Sequence, residues 1–163
     1  MLKNRQLLAV QIIVILAGTI FAWYTVIGDF VRYYNIETSI FKFNDCLAPN
    51  PLMTTCFYGA LAFLAALIWS IAILKMPQEK QKMRQKRLIV LLVAGTIFAW
   101  SNFTFELVKF LNAENQPITG CSGNFVANPF TTVCFYGALF FSAGLIASLV
   151  ALKEQGKYTK ISS

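Results

Sequence analysis

Three observations predict an all-α integral membrane protein: four long uncharged apolar stretches, an internal repeat at a constant offset, and basic residues gathered at one end of every stretch. Together they specify a four-transmembrane-helix bundle built from two tandem, parallel-oriented helical-hairpin repeats, with both termini cytoplasmic. Composition agrees. Of 163 residues, 57% are hydrophobic, 15% aromatic and only 13% charged, and mean hydropathy is +0.60. A water-soluble domain of this size needs far more polar surface.

The spans come first. Stretches 7–28, 56–74, 88–105 and 133–152 contain no charged residue. Each holds about 18 to 22 residues, the number that crosses a hydrocarbon core at ~1.5 Å rise per residue. The first follows Lys3 and Arg5 like a secretory signal, but its apolar run is too long and no small-residue cleavage site closes it. With their flanks the spans are expected over about 7–34, 51–75, 88–111 and 129–153. The chain then divides into a first hairpin repeat (1–78), a basic cytoplasmic linker (79–87), a second repeat (88–155) and a basic tail (156–163).

Local signals place the helix ends. Asn50 before Pro51, and Asn128 before Pro129, read as N-caps with proline at the first helical position, so the second and fourth helices are expected to begin there. Asp29 with Arg32, and Glu106 with Lys109, form i,i+3 pairs that would carry the first and third helices past the outer interface as ion pairs. Trp23, Tyr24 and Trp100 fall where an outer aromatic belt belongs.

Orientation follows from Lys and Arg. Lys3 and Arg5 precede the first span; Lys75, Lys80, Lys82, Arg84, Lys86 and Arg87 lie between the second and third; Lys153, Lys157 and Lys160 follow the fourth. Asp29, Glu37, Asp45, Glu106 and Glu114 outnumber Arg32, Lys42 and Lys109 on the other side. The positive-inside rule therefore puts both termini and the middle segment in the cytoplasm and the cysteine loops outside, in a plasma-membrane-like setting. The net charge of +7 reads as topology plus attraction to anionic lipid, and no nucleic-acid partner is expected.

The repeat is explicit. The heptapeptide AGTIFAW at 17–23 recurs at 94–100, and CFYGAL at 56–61 recurs at 134–139. Asn50-Pro51, Asp29, Arg32 and Asn35 have counterparts in Asn128-Pro129, Glu106, Lys109 and Asn112, always 77 or 78 residues on. Each copy holds two spans, so both enter the membrane in the same direction, about a pseudo-two-fold axis along the membrane normal. Gly18 with Ala22, Gly95 with Ala99, Ala62 with Ala66 and Ala143 with Ala147 are small residues at four-residue spacing, expected to let helices approach closely.

Chemistry is scarce. There is no histidine, which removes His-based triads, His-ligated haem and the usual general base at neutral pH. No glycine-rich phosphate loop exists, and the spans carry no acidic pair at mid-depth. Deep polar residues are expected to be few, with Thr25 and Asn102 the exceptions. Phe57-Tyr58 and Phe135-Tyr136 read as anchors and packing residues. Four cysteines, Cys46, Cys56, Cys121 and Cys134, lie on the outer side, where disulfides persist. Three connectivities are open; Cys46–Cys56 with Cys121–Cys134 is favoured, because each repeat is then self-contained. Such staples would contribute roughly 2 to 3 kcal/mol each in the chain-entropy model. Separations of nine and twelve residues do not match zinc-ligand pairs, and no metal is expected.

The layout of four spans, inner termini and two outer loops with two cysteines each resembles bacterial disulfide-bond formation protein B and, more loosely, the vitamin K epoxide reductase family. That resemblance implies a quinone-using membrane thiol–disulfide oxidoreductase, with Cys56 and Cys134 at the helix starts as the nucleophiles. The Cys-x-x-Cys pair of those families is missing here, and near-identical cysteine pairs are a poor basis for a relay between unlike ones. The favoured expectation is a non-enzymatic scaffold, subunit or interaction protein with disulfide-stapled outer loops and no cofactor. Its partners would be the lipid bilayer and another membrane protein or a second copy. A small transporter or channel component is a further alternative.

Overall fold

The structure, a computed structural model, describes residues 2–36, 50–113, 118–119 and 125–161. Four α-helices make up the body: α1 (Leu2–Ile36), α2 (Thr55–Lys75), α3 (Gln78–Asn112) and α4 (Val133–Ile161). All four are long and apolar enough to cross a membrane. Between α3 and α4 two short strands, β1 (Ile118–Thr119) and β2 (Phe125–Val126), pair antiparallel with Ile118 opposite Val126; nothing in the apolar pattern foretold them.

Each helix packs on the next and α4 closes back on α1, while α2 meets α4 across the centre. Contacts fix the directions. Along α1, Gln11, Thr19 and Trp23 meet Ser70, Phe63 and Phe57 of α2 in reverse order, so the pair is antiparallel. Along α3, Gln85, Gly95 and Phe103 likewise meet Ser148, Phe141 and Phe135 of α4.

Both α1 and α3 have 35 residues, or ~52 Å of helix, against a hydrocarbon core of ~30 Å. Residues 79–87, expected as a linker, continue α3 as helix. Their Glu, Lys, Gln, Met and Arg residues are strong helix formers, and charge alone marks a membrane boundary rather than a helix end. The chain turns instead at Met76, in extended geometry (φ −84°, ψ 153°), and Pro77. The basic tail is also helical, as far as Ile161.

The starts of α2 and α4 lie one turn later than expected. Asn50 and Asn128 do act as caps, accepting from the Leu52 and Phe130 N–H groups at 3.0 Å, with Pro51 and Pro129 in first position. What they cap is a single 3-10 turn. The backbone then extends at Thr54 and Thr132, whose Oγ1 atoms accept from the Phe57 and Phe135 N–H groups at 3.3 Å and so cap the α-helices proper. A threonine three residues after each proline is the signal, and the Asn-Pro pair masks it.

The centre of the bundle is an aromatic stack. Phe63 of α2 and Phe141 of α4 lie with ring centroids 3.9 Å apart and planes inclined by 25°. Each ring rests on a glycine of the preceding helix: a Cβ on Gly18 would lie 2.6 Å from Phe63 Cε1, and one on Gly95 would lie 2.4 Å from Phe141 Cε1. These glycines were expected to bring helix backbones together; they admit an aromatic ring instead. Ala66 is buried as expected, but Ala143 is exposed and marks no helix contact.

Toward the end bearing the termini, a polar seam runs through the apolar core of Leu8, Ile73, Leu88 and Leu92. Gln11 and Gln85 are both fully buried. The Gln85 Nε2 donates to Gln11 Oε1 at 2.6 Å and to the Ser148 carbonyl at 3.2 Å, and the Gln11 Nε2 donates to Ser70 Oγ at 3.2 Å. One turn outward, Asn4 donates to Gln81 at 3.3 Å, and Gln81 to the Met76 carbonyl at 2.8 Å. This seam ties all four helices together and overturns the expectation that Thr25 and Asn102 are the notable polar residues. Charge-based span finding passes over Gln and Ser, which hold no charge yet carry strong donors and acceptors.

Two predictions follow from this core. Gly95→Ala should destabilise the protein by about 1–3 kcal/mol through overpacking, measured by thermal unfolding in detergent, whereas Gly28→Ala, whose Cβ meets nothing within 4 Å, should not. Gln11→Leu should cost about 0.5–2 kcal/mol, and adding Gln85→Leu should cost less than the sum of the two singles, because the pair forms one network.

Candidate functional site

Beyond the aromatic stack, toward the end opposite the termini, the helices part around a cavity of about 50 Å³. Its lining consists of matched positions: Phe21 with Phe98, Ala22 with Ala99, Thr25 with Asn102, Thr55 with Val133, Cys56 with Cys134, Gly59 with Gly137, and Phe63 with Phe141. Every pair is separated by the repeat offset of 77 or 78 residues. That volume equals only a few water-sized spaces at roughly 10–15 Å³ each and falls well short of the ~300 Å³ of a typical small-molecule site.

The lining is largely apolar. Two of its polar members bond back to their own helices: Thr25 Oγ1 donates to the Ala22 carbonyl at 2.7 Å, and Asn102 Nδ2 donates to the Phe98 carbonyl at 2.8 Å. Cys56 and Cys134 occupy the first turns of α2 and α4, delivered there by the Thr54 and Thr132 caps, and both face the same cavity. Cys46 and Cys121 lie outside the described residues, and so do the pairings Cys46–Cys56 and Cys121–Cys134.

Asp29 and Glu106 stand above the cavity, close enough to Cys56 to act on it electrostatically. Expected at the interface, both are buried, at 8% and 5% exposure. On α1 packing continues past Asp29 to Tyr33, which is 2% exposed. Asp29 accepts from the Arg32 guanidinium. Lys109 is exposed, and no Glu106–Lys109 ion pair is present among the described residues. Among the described residues no group of three or more His, Cys, Asp or Glu side chains is placed to hold a metal ion.

The aromatics divide by role. Phe57 packs edge-on against Trp23 and Phe30 at 6.5 and 6.4 Å, and Phe135 packs against Phe103 and Phe130 at 5.1 and 5.6 Å. Tyr58 and Tyr136 are 55% and 43% exposed. The phenylalanines therefore hold the first turns of α2 and α4 against the longer helices, and the tyrosines face outward. Trp100 donates its indole N–H to Ser142 Oγ at 3.0 Å.

Sequence reasoning singled out both cysteines but did not foresee that they share one cavity. Phe21, Ala22, Cys56 and Gly59, with their counterparts, come from the two blocks that recur unchanged, but those blocks also supply exposed residues such as Ile20 and Tyr58. No family model, curated protein or solved structure matches this chain.

Gly59 and Gly137 give a direct probe. A Cβ on either meets nothing within 4 Å, so Gly59→Ala and Gly137→Ala should each stabilise the protein by about 0.5–1 kcal/mol through helix propensity, read from the unfolding midpoint in detergent.

Proposed function

We propose that this chain is a non-enzymatic scaffold or subunit of a membrane assembly. In this reading two like hairpins are related by a pseudo-two-fold axis along the membrane normal. The termini and residues 79–87 lie in the cytoplasm, and the cysteine-bearing segments lie outside. The observation that supports it is the closure of the centre: the Phe63–Phe141 stack blocks the line between the hairpins, and the space beside it is only about 50 Å³. A transport path or a quinone-sized ligand needs room that this centre lacks. A rigid bundle with a fixed outer face suits presentation to a partner, either another membrane protein or a second copy. The staples Cys46–Cys56 and Cys121–Cys134 belong to the same proposal, as covalent ties that hold that face.

One observation favours the thiol oxidoreductase reading as an alternative: Cys56 and Cys134 face a common cavity, flanked by Asp29 and Glu106. Two experiments separate the readings. A photo-crosslinking residue at Tyr34 or Met53, exposed by 59% and 65%, should trap one discrete protein adduct in native membranes under the scaffold reading; lipid adducts alone would sink it. Quinone-dependent dithiol oxidation by the purified protein, abolished in Cys56→Ser, would establish the enzyme instead, and the scaffold reading expects no such turnover.

A further inference from the structure

We infer that the opening turns of α3 bind an anionic phospholipid, the headgroup phosphate lying against two basic stripes and an acyl chain along Met83 and Val90. The inward face of this segment is set by Gln81, Gln85 and Leu88, exposed by only 6%, 0% and 0%. At ~100° per residue, Lys80, Arg84 and Arg87 then fall on one flank of that face, and Lys82 and Lys86 on the other. Opposite the core, between the stripes, Met83 and Val90 are 62% and 68% exposed.

Lys80, Arg84, Lys86 and Arg87 are exposed and Lys82 is half-buried. Among the described residues none of the five pairs with a carboxylate. Lys80 also stands in the first turn of the helix, where the macrodipole disfavours positive charge. An anion placed beside these cations relieves both the mutual repulsion and the dipole. The apolar strip selects the kind of anion. A free phosphate or a nucleic acid would use the cations and leave Met83, outside the uncharged span, in water, whereas a phospholipid covers it along with the cations and runs its chain on toward Val90, with long basic side chains reaching to the headgroup level.

The test uses the full chain reconstituted in nanodiscs of mixed phosphatidylcholine and phosphatidylglycerol. The protein is re-extracted in mild detergent, and the lipid retained is counted by mass spectrometry. Phosphatidylglycerol should be enriched over phosphatidylcholine, and high salt should reduce the enrichment. The triple variant Lys80→Gln, Arg84→Gln, Arg87→Gln should lower it, by about five-fold per cation at low salt, with an unchanged melting temperature. Met83→Glu should lower it with every cation retained, and Lys109→Gln, at the other end, should leave it unchanged. Equal retention of the two lipids by the native chain, or loss of the bound lipid to inorganic phosphate, overturns the inference. So does undiminished enrichment in the folded triple variant. Should that variant fail to fold, the salt series on the native chain decides.

Discussion

Everything in the bundle is arranged around two phenylalanine rings that stack on each other and lean on two glycines. Phe63 and Phe141 are 1% and 2% exposed, and their 3.9 Å separation leaves no slack between α2 and α4. A ring occupies the place of a side chain at Gly18 and at Gly95, so any Cβ at either glycine competes with the stack. The contact sets how closely α1 sits on α2 and α3 on α4. It divides the interior into a lower part, where the glutamine seam crosses the apolar core of Leu8, Ile15, Ile73, Leu88 and Leu92, and a largely apolar cavity above. In a bilayer, where burying apolar surface gives helices little reason to associate, fitted contacts of this kind carry much of the packing energy.

The two halves of the interior obey different rules. Above the stack, lining residues come in pairs at the repeat offset, and the pairs are mostly identical. Below it the correspondence breaks. Gln11 stands where the second half has Leu88, and Gln85 where the first half has Leu8, yet the two glutamines hydrogen-bond to each other. Ser70 and Ser148 keep the correspondence but use it differently: Ser70 receives a side-chain amide, while Ser148 offers its backbone carbonyl. A network that departs from the repeat fixes which hairpin is which, and each unsatisfied amide in a wrong pairing would carry a desolvation cost.

Span number and approximate span position were legible because uninterrupted apolar length is a direct physical requirement for crossing a bilayer. Helix ends were legible only in part. Asn50 and Asn128 were identified as caps correctly, but a proline cap followed one turn later by Thr54 or Thr132 makes two starts in succession, and sequence spacing does not say which begins the α-helix. The extension of α3 through residues 79–87 was hidden because charge and helicity are independent properties. The burial of Asp29 and Glu106 was hidden because depth along a helix says nothing about which side faces the core. The cavity was hidden because the recurring blocks that supply most of its lining also carry exposed residues such as Ile20, Ile97, Tyr58 and Tyr136, so identity between repeats does not mark the inward face.

Each glycine seat is completed within its own half of the chain: Gly18 with Phe63 lies entirely in the first, Gly95 with Phe141 entirely in the second. A hairpin leaving the ribosome can therefore close before the other half has been synthesised. The contacts that join one half to the other are the packing of α4 on α1 and of α3 on α2, the ring stack, and the Gln85–Gln11 hydrogen bond of the seam. They run sideways between two units, each of which already contains its own glycine seat. Assembly on that order has low topological demand, since no segment has to thread past another. Two separately produced halves of the chain would have the same contacts available to them.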